Sequence, residues 1–208
     1  MSKHTSASTR IPLVPIPITK EEATNQALDN LERIKKIQAF QDHANDFLRE
    51  LRQNNLPKAK MNRLKKAADK INSVVMPYSA CKSGCSYCCH ISAVITQTEA
   101  DQLAAASGRK ALKLTGRADM EETQKKWYKT PCPFLKAGKC SVYEDRPLVC
   151  RTLLVLSDSA HFCNTDIPSE ESHVTSLNLS QLHEGYVMAY LNEAWADIRD
   201  FFPPDQKA

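Results

Sequence analysis

Eight cysteines are the residues of this sequence with the clearest capacity for chemistry. Four of them, Cys81, Cys85, Cys88 and Cys89, fall within nine residues. Three thiolates at spacings of four and three can surround one metal centre from a single tight loop, where Gly84 permits a positive φ. Inert buried thiols seldom concentrate in this way. The segment therefore predicts a metal site.

The remaining cysteines are spaced more widely, as expected of ligands that come from separate loops. They are Cys132, Cys140, Cys150 and Cys163. Pro133 and Pro147 stiffen the approaches to two of them. Eight thiolates suffice for two four-ligand sites, or for one site with thiols left for redox chemistry or catalysis. The spacing leaves that division open.

Zinc and iron–sulfur clusters both accept thiolates in tetrahedral arrays, so the donor type does not separate them. Structural zinc sites usually have two paired ligands, and only the first group here contains such a pair. Three ligands in a short loop with a remote fourth are more typical of a cluster, which favours iron–sulfur slightly. His90 and His161 could bind zinc, but eight cysteines already suffice for two sites.

Two arginines flank one cysteine of the second group: Arg146 precedes Cys150 and Arg151 follows it. A cation here could offset the negative charge of a thiolate-bound centre or hold an acidic substrate, so both are candidate cofactor-binding residues. An ion pair with Glu144 or Asp145 is an equally good interpretation.

Composition limits the class of protein. A chain of 208 residues with 42% hydrophobic residues can form one core, or one core and an extension. No apolar run approaches the ~20 residues of a membrane span, and the first ten residues resemble no secretory signal. We therefore expect a cytoplasmic protein with reduced thiols. The lysine-rich stretch 58–70 has no interleaved aromatic residues, which favours a solvated helix face over nucleic-acid contact.

The pattern around the cysteines predicts a mostly α protein, in which helices flank a small loop-rich cysteine core. We expect a disordered proline-containing tail at residues 1–18 and a helical hairpin extension at 19–77. The extension opens with a capping box between Thr19 and Glu22, and helical spacing of apolar residues continues to Leu51. A cysteine-cluster metal-binding domain at 78–165 follows, in which a second capping box, Thr96 with Glu99, begins a short helix closed by Gly108. Residues 166–208 contain a C-terminal helix, predicted at 180–202, that packs on the core. Its inward residues are Leu182, Tyr186, Ala189, Ile198 and Phe201.

The cysteine region resembles a known family. The first group, the Cys-Pro-Phe-Leu sequence at 132–135 and the segment 140–151 with its Arg-Pro before Cys150 resemble the CxxCxxCC (YkgJ-like) cysteine-cluster family. The resemblance implies zinc or iron–sulfur chelation over residues 80–165. A flagellin lysine methylase contains a related domain, so it implies enzyme activity only weakly. Cys81, Cys85 and Cys88 also fit the radical-SAM motif, but the chain lacks the strand–helix alternation of that barrel.

Three functions remain open on these grounds. The first is a metal-binding protein with a redox, sensor or carrier role. The second is a metal-dependent enzyme, either methyl transferase-like or redox. The third is an interaction scaffold stabilised by zinc. Nothing in the sequence indicates a specific partner, and with five glycines a nucleotide-binding loop is not expected.

Overall fold

The computed structural model describes residues 15–82 and 84–203. Helices make up 54% of it, strands are few and short, and the first cysteine group lies in a loop-rich region, which confirms the predicted fold class. Most of the predicted tail at 1–18 falls outside the described residues. None of the helices in those two ranges is long and apolar enough to cross a membrane.

Eight helices and four short strands form the described part of the chain. The helices are α1 (Lys20–Lys35), α2 (Gln38–Arg52), α3 (Pro57–Val75), α4 (Gln97–Ser107), α5 (Met120–Trp127), α6 (Leu148–Thr152), α7 (Ser180–Ala189) and α8 (Ile198–Phe201). The strands are β1 (Val94–Thr96), β2 (Leu135–Lys136), β3 (Lys139–Cys140) and β4 (Trp195–Asp197).

The N-terminal helices follow the sequence signals at their starts. The Thr19 hydroxyl accepts from the Glu22 amide (3.1 Å), and the Glu22 carboxylate accepts from the Thr19 amide (2.7 Å), so the predicted capping box begins α1. One long helix was expected from this point to residue 51. Instead, Ile37 adopts an extended conformation (φ −88°, ψ 108°) and separates α1 from α2. The break allows Ile34 and Phe47 to be buried in the same cluster.

The C-terminal region differs from its prediction. A single helix was expected at 180–202, but α7 ends at Ala189 and the chain then forms β4 and the short α8. The predicted inward residues Ile198 and Phe201 are buried, although they belong to a separate helix. The pairing of β4 with β1 explains the difference, because it satisfies backbone groups that a continuous helix would have left unpaired on β1.

Two antiparallel strand pairs connect distant segments to the cysteines. In the first, Ile95 of β1 lies opposite Ala196 of β4, which joins the segment after the first cysteine group to the C-terminal region. In the second, β2 and β3 form a tight hairpin that places Cys140 opposite Leu135. Its turn has positive φ at Ala137 (47°) and at the following glycine (72°), as a type I′ turn requires.

The hydrophobic core consists of two clusters, with cysteines at the border of each. Cluster one lies among α1, α2, α3, α6 and α7, and cluster two among β1, α4, β4 and α8. Cys81 packs against cluster one, whereas Cys132 and Cys140 pack against cluster two. The cysteine region therefore lies where the two clusters meet.

Candidate metal centre

The two cysteine groups line a single cavity of about 210 Å³. Seven of the eight cysteines line it: Cys81, Cys85, Cys88, Cys89, Cys132, Cys140 and Cys150. Cys163 does not. Across the described ranges, no three His, Cys, Asp or Glu side chains stand ready to bind one ion, so the fold gathers the thiols without setting a coordination geometry.

The first cysteine, Cys81, lies shortly after the end of α3. A 3₁₀ turn, Met76–Tyr78, follows the helix, and the Cys81 amide then donates to the Ser79 hydroxyl (3.1 Å). The Cys81 sulfur accepts from the Val155 amide (3.3 Å) and lies 3.6 Å from the Leu153 carbonyl. These contacts hold Cys81 between the end of α3 and the segment that follows α6.

The rest of the first group lies in a tight loop. Gly84 has a φ of 94°, which confirms the turn predicted there, and the Cys85 amide donates to the Lys82 carbonyl (3.0 Å). Cys88 and Cys89 lie in the 3₁₀ turn Tyr87–His90. Cys88 has exposed surface, as does Cys150, and both line the cavity, so their thiols can be reached from within it.

Separate elements supply the second group. The Cys132 amide donates to the Cys89 carbonyl (2.7 Å), so the backbones of the two groups are directly joined. Cys140 ends β3, and Cys150 lies in α6, which begins after Pro147. The sequence predicted that these cysteines come from separate loops, whereas the structure places Cys140 in a strand and Cys150 in a helix.

A buried ion pair beside the cavity was missed from the sequence. Arg199 and Asp197 are 2% and 0% exposed, and the guanidinium lies 2.9 Å from the Asp197 carboxylate. The guanidinium also donates to the carbonyls of Cys89, Ile91 and Thr130. The only sequence signal was a group of three charged residues, Asp197, Arg199 and Asp200, within the otherwise apolar segment 194–202.

The two candidate cofactor-binding arginines have different surroundings. Arg146 lines the cavity and stacks on the Tyr143 ring, 4.0 Å from its centroid. Arg151 is buried, and its guanidinium pairs with Asp69 and donates to the Glu144 carbonyl. The same Asp69 carboxylate lies 3.7 Å from the Arg146 guanidinium. The ion pair proposed with the Glu144 or Asp145 carboxylate is replaced by one with Asp69.

Burial controls the ionisation of the thiols in the metal-free protein. Desolvation raises the pKa of Cys81, Cys85, Cys140 and Cys150, and raises that of Cys132 to about 11 and that of Cys163 to about 12. For Cys88, a hydrogen bond with Cys89 is the largest cause of a raised pKa, followed by desolvation. Backbone amides lower the pKa of Cys81, Cys85, Cys132 and Cys140, but desolvation outweighs them.

The same interactions reveal which thiols lie near one another. The pKa of Cys163 is raised by desolvation and then by Cys81, Cys85 and Cys88. That of Cys150 is raised by desolvation and then by Cys88, Cys132 and Cys140. Cys88 therefore lies between two sets of thiols.

The alternative histidine ligands are placed away from the cavity. The His90 ring nitrogen Nδ1 lies 3.2 Å from the Ser86 carbonyl, and the ring does not line the cavity. The His161 ring packs edge-on against Phe162, with 5.0 Å between their centroids. Thiols are therefore the donors that the cavity offers, and they suit zinc or iron, both of which bind thiolates well.

Comparison with known proteins agrees with this donor set. Residues 80–166 match a family model, CxxCxxCC, whose description is "Putative zinc- or iron-chelating domain". No curated protein and no solved structure matches the chain significantly.

Proposed function

We propose that this chain, whose residues 80–166 carry a CxxCxxCC zinc- or iron-chelating domain, holds an iron–sulfur cluster or zinc in its cysteine cavity and serves as a redox, sensor or carrier protein. One observation carries the proposal: seven cysteines from two distant parts of the sequence line a single cavity. Four thiolates are the usual ligand set of either kind of centre.

We propose that the eight cysteines form two sets of four. The electrostatic neighbours of Cys163 favour Cys81, Cys85, Cys88 and Cys163 as one set, and those of Cys150 group it with Cys132 and Cys140. The backbone hydrogen bond from the Cys132 amide to the Cys89 carbonyl adds Cys89 to the second set. Cys88 interacts with thiols of both sets, so two centres would be near neighbours.

The other residues of the cavity suit a negatively charged centre. Most of its surface is apolar, from side chains such as Phe134 and Ile198, and it would keep water from the metal-bound thiolates. Arg146 contributes a fixed positive charge, which lowers the pKa of Cys140 after the larger effects of burial and a backbone amide. When bound, iron would supply one-electron redox chemistry, whereas zinc would supply cross-links between the cysteine segments.

The ligand spacing favours iron–sulfur over a single zinc ion. Three thiols in the short first loop, with further thiols from distant segments lining the same cavity, are typical of a cluster site. The test is anaerobic purification followed by metal analysis and a visible spectrum. We expect brown protein that contains iron and inorganic sulfide and bleaches in air. Colourless protein with stoichiometric zinc would overturn the iron–sulfur assignment, and protein with neither metal would overturn the metal site.

Matched variants localise the centre. Replacing Cys132 and Cys140 together with serine removes two thiols at the border of cluster two, and we expect loss of metal. Ser86→Ala changes a residue of the first loop without removing a thiol, and should leave the metal content unchanged.

A metal-stabilised scaffold is a second candidate, favoured by the position of the cavity between two hydrophobic clusters. Zinc bound there would join the clusters without any redox role. Zinc without iron in the anaerobic protein would select this function.

We also propose a reducing compartment, such as the cytoplasm. All eight cysteines are free thiols in the structure, although seven of them share one cavity. Thiols so close together would be prone to form disulfides in an oxidising compartment.

A further inference from the structure

We infer that Arg199 is the positioning residue of the metal site: paired with Asp197, it holds the two cysteine segments side by side. The inference rests on the proposed metal site. It extends that site beyond residues 80–166, because both residues lie outside the matched domain.

The contacts of Arg199 join the two segments directly. Its Nη2 donates to the carbonyls of Cys89 (3.0 Å) and Ile91 (3.1 Å), within and just after the first cysteine group. Nη2 and Nε also donate to the carbonyl of Thr130, at 2.6 and 3.1 Å, and Nε lies 3.3 Å from that of Pro131. Thr130 and Pro131 immediately precede Cys132. One guanidinium therefore bridges both segments.

The Cys89 carbonyl is the centre of this bridge. It accepts from the Cys132 amide (2.7 Å) as well as from Arg199. A planar guanidinium can make such a set of bonds because its five donors point outward in a fixed plane. A lysine has three donors on one atom and cannot reach carbonyls on both sides.

Asp197 orients Arg199 and compensates its charge. Its carboxylate accepts from the Arg199 side chain (2.9 Å) and amide (2.8 Å), and from the Ala93 amide (2.6 Å). Because Asp197 is also the last residue of β4, the strand pair with β1 fixes its position. A buried charge with a full set of partners is a rigid support, and removal of one partner leaves the others unsatisfied.

Such a support should affect metal affinity as well as folding stability. Residues that orient metal ligands without touching the metal typically change affinity 10–100-fold when mutated. Without Arg199, the carbonyls of Cys89 and Thr130 lose their shared donor, and the two segments can separate. Binding a metal would then require ordering them again.

The experiment compares Arg199→Lys and Arg199→Gln with the parent protein. Arg117→Gln is the matched control, because Arg117 is an exposed arginine that stacks on Trp195 of β4 and touches neither segment. Zinc affinity is measured by competition with a chromogenic chelator under anaerobic conditions. We expect a loss of about 10–100-fold for both Arg199 variants and none for the control. The Lys variant should fail because it retains the charge but not the bridge.

A second measurement is independent of the metal. In metal-free protein, hydrogen exchange of the peptide containing the Cys132 amide should accelerate in both Arg199 variants, while exchange in α3 stays the same. Unchanged zinc affinity and unchanged exchange in the variants would overturn the inference. So would unfolding of both variants with zinc in excess, because Arg199 would then support the whole fold. A parent that binds no metal but whose variants show the faster exchange would contradict the proposed function and leave the positioning role intact.

Discussion

Cys88 lies between the two proposed ligand sets, so it is the single thiol whose loss should matter most. We predict that Cys88→Ser lowers the stability of the metal-loaded protein by more than about 3 kcal/mol, equivalent to roughly 6–12 °C in Tm, because metal binding contributes directly to folding free energy. Thermal unfolding of parent and variant, each with saturating metal, measures this loss.

The control for this prediction is the metal-free protein. A serine hydroxyl is close in size to a thiol, so the two metal-free proteins should have similar melting temperatures. Equal melting temperatures in the presence of metal would remove Cys88 from the ligand set.

Proton release should accompany metal binding. The pKa of Cys132 is about 11 and that of Cys163 about 12 in the metal-free protein, so both are protonated at neutral pH. A metal must displace these protons, and its affinity should therefore rise with pH by about tenfold per unit for each thiol that binds. Calorimetric titration with zinc in two buffers of different ionisation enthalpy counts the protons. Zinc affinity that is constant between about pH 6 and 8 would show that the thiols are already ionised or are not ligands.

At the scale of elements, Glu99 connects three helices. It belongs to the capping box that begins α4, and its carboxylate accepts from the Leu148 amide (2.7 Å) at the start of α6 and from the Tyr186 hydroxyl (2.6 Å) in α7. Glu99 is fully buried. Because α6 carries Cys150, this carboxylate also supports the metal site.

We predict that Glu99→Gln destabilises the protein by about 2–3 kcal/mol, since an amide group would present a donor where the carboxylate now accepts from three donors: the Thr96 amide, the Leu148 amide and the Tyr186 hydroxyl. Urea unfolding of the metal-loaded protein measures the change. Glu22→Gln is the matched control: it alters the exposed capping box of α1 and should cost much less. Equal losses for the two variants would mean that the contacts of Glu99 with α6 and α7 carry no stability.

Elements with local signals were predictable from the sequence. The two capping boxes marked the starts of α1 and α4, and Gly108, in the left-handed conformation, ends α4 as expected. The β4 strand was not predictable, because it depends on β1, which lies far away in the sequence. The helical spacing at 180–202 placed residues such as Tyr186 and Phe201 correctly in the core but assigned them to one helix.

At the scale of the whole molecule, the cavity lies where the two hydrophobic clusters of the core meet. We predict that metal removal loosens cluster two and the cysteine segments while leaving the α2–α3 pair intact, because those helices pack on each other without the cysteines. Hydrogen exchange before and after chelation measures this directly. Exchange that rises equally in α3 and in residues 130–151 would show a single cooperative unit instead.

The convergence of the cysteines could be inferred from sequence only in part. Four cysteines within nine residues indicate a metal site from the local sequence alone. The position of Cys132 beside them involves a backbone hydrogen bond to Cys89 and the contacts of Arg199, which come from distant parts of the chain. Long-range contacts of this kind have no periodic or spacing signal. The same is true of Arg146 and Arg151, which look equivalent beside Cys150, although both lie near Asp69 and only Arg146 lines the cavity.

The bridge from Arg199 to Cys89 also sets an order of events during protein synthesis. The two residues are 110 positions apart. At the usual rate of translation, the first four thiols are made roughly 5–20 seconds before their arginine support. During that interval the nascent chain presents clustered, unsupported thiols to any available metal or oxidant. Correct binding of the metal should therefore depend on when it binds as well as on how tightly. Binding after β4 has paired with β1 is favoured, because Arg199 then supports the thiols.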